Sequence, residues 1–121
     1  MLAEDMMPRL LTPQHQGDTE IARALDAMIR RQPAEGMIGA LQALRDRLDA
    51  TALLATVNVP SIVVVGEADA ITPVSVSQEM EAALPEVRLV VVAGAGHMTP
   101  MEAPEEVNLA LLELVRRASL T

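Results

Sequence analysis

The chain has 121 residues, half of them hydrophobic, with no Phe, Tyr, Trp or Cys and a formal net charge of −8 carried against arginine alone. That length suits one folding unit with a modest core. The acidity and the lack of base-stacking rings argue against a nucleic-acid polymer as partner, and the lack of cysteine rules out disulfides and thiolate metal sites.

In chain order, Leu2 to Leu11 reads as a short helix with Met6 and Leu10 on one face, and Pro8 predicts a kink or an early stop. Thr12 to Asp18 reads as a loop, and Asp18 is placed to cap a helix that ends at Arg30-Arg31. Ile21, Leu25, Met28 and Ile29 give that helix an apolar face. Pro33 suits the first position of the next helix, whose Met37, Ile38, Leu41, Leu44 and Leu48 form a second such face. Asp49 to Val57 reads as a short helical turn.

The character changes at Pro60. Ser61 to Val65 and Arg88 to Val92 are short, apolar and β-branched, as buried parallel strands are. A helix is expected between them, from Val74 to Leu84. Pro104 opens a last helix with Val107, Leu111, Leu114 and Val115 facing inward. No apolar run approaches the ~20 residues of a membrane span. Met1-Leu2-Ala3-Glu4-Asp5 lacks the positive region of a secretory signal, so a soluble cytoplasmic protein is expected.

Two loops directly follow the strands. One is Gly66-Glu67-Ala68-Asp69-Ala70-Ile71-Thr72-Pro73; the other is Gly94-Ala95-Gly96-His97, followed by Glu102-Ala103-Pro104-Glu105. Ligands in open α/β sheets bind outside the carboxyl ends of strands. The pair resembles the acid loop and the histidine loop of α/β-hydrolases, in order and spacing. Leu53, Leu54 and Val57-Asn58-Val59-Pro60 resemble the approach to the penultimate strand. Met6-Met7-Pro8-Arg9-Leu10-Leu11 and Ala43-Leu44-Arg45-Asp46-Arg47 resemble the helical cap of 3-oxoadipate enol-lactonase-like and esterase-like members.

The resemblance implies an α/β fold: a truncated α/β-hydrolase fragment in which cap-like helices (residues 1–50) precede a β-α-β-α unit (residues 51–121), as one folding unit completed by a homodimer. It implies Asp69 as the acid and His97 as the general base. The pattern departs at the nucleophile. Ser61, Ser75, Ser77 and Ser119 all lack the Gly-x-Ser-x-Gly elbow.

A carboxylate that orients a histidine is also half of a carboxylate–histidine–metal arrangement. One reading is therefore a hydrolase that uses a divalent ion such as Mn or Zn to activate water, cleaving a phosphodiester or another ester. His97, Asp69, Glu67, Glu102 and His15 are its candidate ligands. Two alternatives stand beside it: a metal-free esterase or lactonase built on Asp69 and His97, and a non-catalytic fragment or interaction subunit. His15 otherwise reads as a solvated loop residue and Glu102 as a charge at a helix N-terminus. Arg45 and Arg47 read as partners of Asp46 or Asp49, or as a clamp for an anionic substrate.

Overall fold

The computed structural model describes residues 2–17 and 19–120. Helix α1 (Leu2–Leu10) runs two residues past Pro8, and the Leu11 amide still reaches the Met7 carbonyl at 3.1 Å, so the proline does not stop it early. A single 3₁₀ turn follows at Pro13–His15. Asp18, the expected cap, lies outside the described residues. The cap observed on α2 (Glu20–Arg30) is Thr19, whose hydroxyl accepts from the Ala22 amide at 3.1 Å.

Leu10, Leu11, Ala22 and Leu25 are buried together, with Met6, Met7, Ile21, Ile29, Met98 and Met101 packed around them. Flexible Met side chains here fill space that an aromatic ring would otherwise occupy. This cluster joins α1 and α2 to the segment after His97.

Helix α3 (Ala34–Asp46) and a 3₁₀ helix at Thr51–Thr56 lead into the sheet. Strand β1 (Ser61–Gly66) pairs in parallel with β2 (Val87–Val92), register Ser61 with Val87 through Gly66 with Val92. Helix α4 (Val74–Ala83) crosses between them and packs on both strands. Two helices close the chain: the short α5 (Thr99–Glu102), and α6 (Pro104–Ala118), which lies on β1.

The apolar faces read from periodicity are not all buried. On α3, Ile38, Leu41 and Leu44 are 55–61% exposed, and Leu48 just beyond it is 87% exposed. On α6, Ala110 is buried, while Leu111 and Val115, expected inside, are exposed. Periodicity identifies the apolar stripe, but not whether this chain itself supplies the surface that covers it.

One glycine is imposed by the loops it joins. A Cβ on Gly66 would lie 2.3 Å from the carbonyl oxygens of both Ala95 and Gly96. Both contacts are backbone, so no side chain can swing away. We expect Gly66→Ala to destabilise the chain by about 2–3 kcal/mol, read as a lower urea midpoint. An unchanged midpoint would mean that the two loops are not packed this closely.

Candidate active site

Glu67 N–H donates to Val92 O at 2.9 Å and Ala68 N–H to Ala95 O at 2.9 Å, so the loop after β1 is stitched to the loop after β2. Gly94 takes a left-handed φ of 69°, which turns the second loop sharply and suits glycine.

Asp69 is nearly buried and folds back on its own loop. Its Oδ1 accepts the amides of Ile71 and Thr72, each at 2.9 Å, and its Oδ2 accepts the Thr72 hydroxyl at 3.0 Å. The carboxylate is thereby fixed before it meets any partner from the second loop. That partner is His97, whose Nδ1 lies 3.0 Å from Oδ2 and 3.2 Å from Oδ1. Burial pushes the Asp69 carboxyl up, but the donors of Thr72, His97 and Ile71 together outweigh it and hold the group below its ordinary value. With Asp69 ionised, the His97 tautomer that donates through Nδ1–H is favoured, leaving Nε2 as a proton acceptor. Thr72 was not singled out from the sequence. Its signal is the Asp-x-x-Thr spacing of a turn in which the aspartate binds the backbone two and three residues on.

A cavity of about 190 Å³ adjoins the pair, lined by Val64, Val65, Asp69, Thr72, Ser77, His97, Thr99, Pro100 and Val107. Its walls come from β1, α4, α5, α6 and both loops.

The other candidates lie elsewhere. Glu67 is exposed, and its Oε2 accepts the Gly94 amide at 3.3 Å. His15 is not a solvated loop residue. Its Nδ1 lies 2.9 Å from Oε1 of Glu102, whose side chain is fully buried. Glu102 ends α5 instead of guarding a helix N-terminus. Arg45 pairs with Asp46 at 2.6 and 2.8 Å on the exposed surface, so it is engaged with its neighbour.

The five residues expected as one ligand set thus form two separate pairs, Asp69–His97 and Glu102–His15, with Glu67 apart. Among the described residues, no group of three or more His, Asp or Glu side chains is gathered to hold a metal ion. Each pair offers two donors, fewer than the three or four protein ligands of a zinc site.

A carboxylate and a histidine on the carboxyl ends of two neighbouring parallel strands, with a helix between them, make up the acid–histidine portion of an α/β-hydrolase. The chain belongs to the Alpha/beta hydrolase family, whose sequence profile matches residues 1–110. It is similar in structure to a thermophilic esterase from Thermogutta terrifontis. They share 36% identity and a TM-score of 0.91, over 97% of this chain and 43% of that one. A hydrolase from Pseudomonas aeruginosa PA01 is 25% identical with a TM-score of 0.85, over 94% and 43% of the two chains. An esterase from Exiguobacterium antarcticum, at 19% identity and a TM-score of 0.81, shares the fold over 95% of this chain and 42% of its own. The chain therefore spans about two fifths of the length of these structures. A comparison with curated proteins found no match. Among the described residues no helix is long and apolar enough to cross a membrane.

Proposed function

We propose that the chain hydrolyses small carboxylic esters, with His97 as general base and Asp69 as the group that orients it. The observation that carries this reading is the His97 Nδ1–Asp69 contact at 3.0 and 3.2 Å, on a carboxylate already held by its own loop. His97 Nε2 takes a proton from water as the water oxygen bonds to the acyl carbon. The tetrahedral adduct then expels the alkoxide, which recovers that proton and leaves as the alcohol. In this reading water is the nucleophile, because Ser61, Ser75, Ser77 and Ser119 have no Gly-x-Ser-x-Gly context.

The 36% identity to an esterase supports an ester as substrate. The cavity of about 190 Å³ is smaller than the ~300 Å³ at the lower end for drug-sized ligands, which favours a short acyl group. Metal-assisted phosphodiester cleavage, expected from the sequence, finds no gathered ligand set among the described residues to support it. The test is hydrolysis of p-nitrophenyl acetate and p-nitrophenyl decanoate, each with and without exhaustive chelation. Acetate turnover that survives chelation and exceeds decanoate turnover is expected. Activity abolished by chelation and restored by Mn²⁺ or Zn²⁺ would overturn the metal-free reading.

A second property is favoured by the exposed apolar residues of α3 and α6 and by the two-stranded sheet. Two parallel strands are too few to stand alone comfortably, and an apolar β-branched strand is a template for pairing. We propose that two copies associate through these surfaces. Light scattering at micromolar concentration should give twice the chain mass of 12.9 kDa. A well-folded species at the single-chain mass would defeat the dimer.

A further inference from the structure

A second carboxylate, Glu102, meets as many donor groups as Asp69, and the proton transfer above does not use it. Its side chain is fully buried. Oε1 accepts the Thr12 amide at 2.8 Å, the Thr12 hydroxyl at 2.6 Å and His15 Nδ1 at 2.9 Å. Oε2 accepts the Gly96 amide at 2.7 Å. These donors come from two distant stretches: residues 12 and 15 in the cap-like segment, and Gly96 immediately before His97. Buried carboxylates are expensive unless fully satisfied, so this one ties together whatever surrounds it.

The ties bear on His97 directly. Gly96 is held from both sides, its amide by Glu102 and its carbonyl by the Thr99 hydroxyl at 2.8 Å. A Cβ there would lie 3.0 Å from Glu102 Oε2 and 3.3 Å from both Leu10 O and Thr12 N, so the backbone passes tightly between the cap-like segment and the carboxylate. The next amide but one, Met98 N–H, donates to Leu10 O at 3.1 Å. The backbone on both sides of His97 is thus held, at Gly96 and at Met98, while its ring meets Asp69.

We infer that Glu102 is a positioning residue for His97, joining the Thr12–His15 loop to the Gly96 backbone so that the ring meets Asp69 only when the cap-like segment is seated. The inference rests on the reading of Asp69–His97 as the working pair. The carboxylate is needed as such. A glutamine has one acceptor oxygen, which the three donors on the Thr12–His15 side would hold. Its NH₂ would then face the Gly96 N–H, donor against donor, and the bond nearest His97 would be lost.

The experiment is nitrogen NMR on the full chain with labelled histidine, comparing the original chain, Glu102→Gln and Glu105→Gln. Only two histidines are present, so both rings can be assigned. His97 should carry its proton on Nδ1 in the original chain and in Glu105→Gln, whose carboxylate is exposed on α6. In Glu102→Gln the Nε2-protonated form should gain, and Gly96 amide exchange should accelerate about tenfold. A merely structural role would leave the tautomer where it was.

A folded Glu102→Gln chain with the original tautomer ratio and Gly96 exchange overturns the inference, as does an Nε2-protonated His97 in the original chain. Where Glu102→Gln does not fold, Thr12→Val decides. It removes one donor hydroxyl and should shift both readouts in the same direction by less; no shift in either overturns the inference. Absence of ester hydrolysis in the original chain would sink the hydrolase reading and leave the NMR comparison to judge the positioning role.

Discussion

His97→Ala is expected to lower kcat/KM for p-nitrophenyl acetate by about 10²–10⁴-fold, the usual worth of a positioned general base. The ring combines an accepting nitrogen with a partner that fixes its tautomer, and it borders the cavity between the two loops. Asp69→Asn should come close to the same loss without removing the base. An asparagine amide can satisfy the Ile71 and Thr72 amides through its oxygen, but its NH₂ then faces Nδ1 and invites the opposite tautomer, with the proton on Nε2. The two variants are therefore expected to differ in His97 nitrogen shifts and agree in rate. A folded His97→Ala chain with full activity would remove the pair from the reaction, and so would an Asp69→Asn chain that keeps both its rate and its tautomer.

The largest stability effect is expected at Glu102. Truncation to alanine leaves the Thr12 and Gly96 amides, and His15 Nδ1, without their acceptor in a buried place. A loss of about 3–5 kcal/mol follows, a large part of what a domain of this size has to spend. The same group makes the fold acid-sensitive. Burial pushes its carboxyl up, but the Thr12 hydroxyl and amide, His15 and the Gly96 amide prevail and hold it below the ordinary 4.5. Asp69 is likewise held below its ordinary 3.8, so both groups bind protons more weakly in the folded chain than in the unfolded one.

The contribution of both is fully present above those ordinary values and is lost as pH falls through the depressed folded ones. Urea midpoints should be flat with respect to these two groups above about pH 5.5, a unit above the higher value, and should fall progressively below it. Glu102→Gln should start lower and fall less steeply. A midpoint for the original chain that is level down to pH 3 would show that neither carboxylate is held as described.

Strand and helix types were legible because they rest on local pattern. Ser61 to Val65 and Arg88 to Val92 are β-branched apolar runs, and both form strands, but in this chain only Val65 and Val92 of them, with the adjoining Gly66, are buried and Val91 is 45% exposed. The strand ends then place the loops, and with them Asp69 and His97. What the pattern left open was how far apart in space residues distant in sequence would be. Glu102 and His15 are 87 positions apart, and nothing local distinguishes a glutamate that ends α5 buried from one that starts α6 in solvent. The same gap bears on the expected five-ligand metal set: each residue has the right chemistry, and the fold brings four of them together as two pairs, with Glu67 on Gly94.

By itself, then, the sequence determined the α/β class, the order of the main helices and strands, and the strand-end positions of Asp69 and His97, because periodicity and strand-end placement act over a few residues. The tertiary structure decided which carboxylate serves which histidine, the closeness that forces glycine at position 66, and which apolar stripes are left uncovered. Those depend on where the chain returns to itself, and a carboxylate accepts whichever donors the packing brings within about 3 Å.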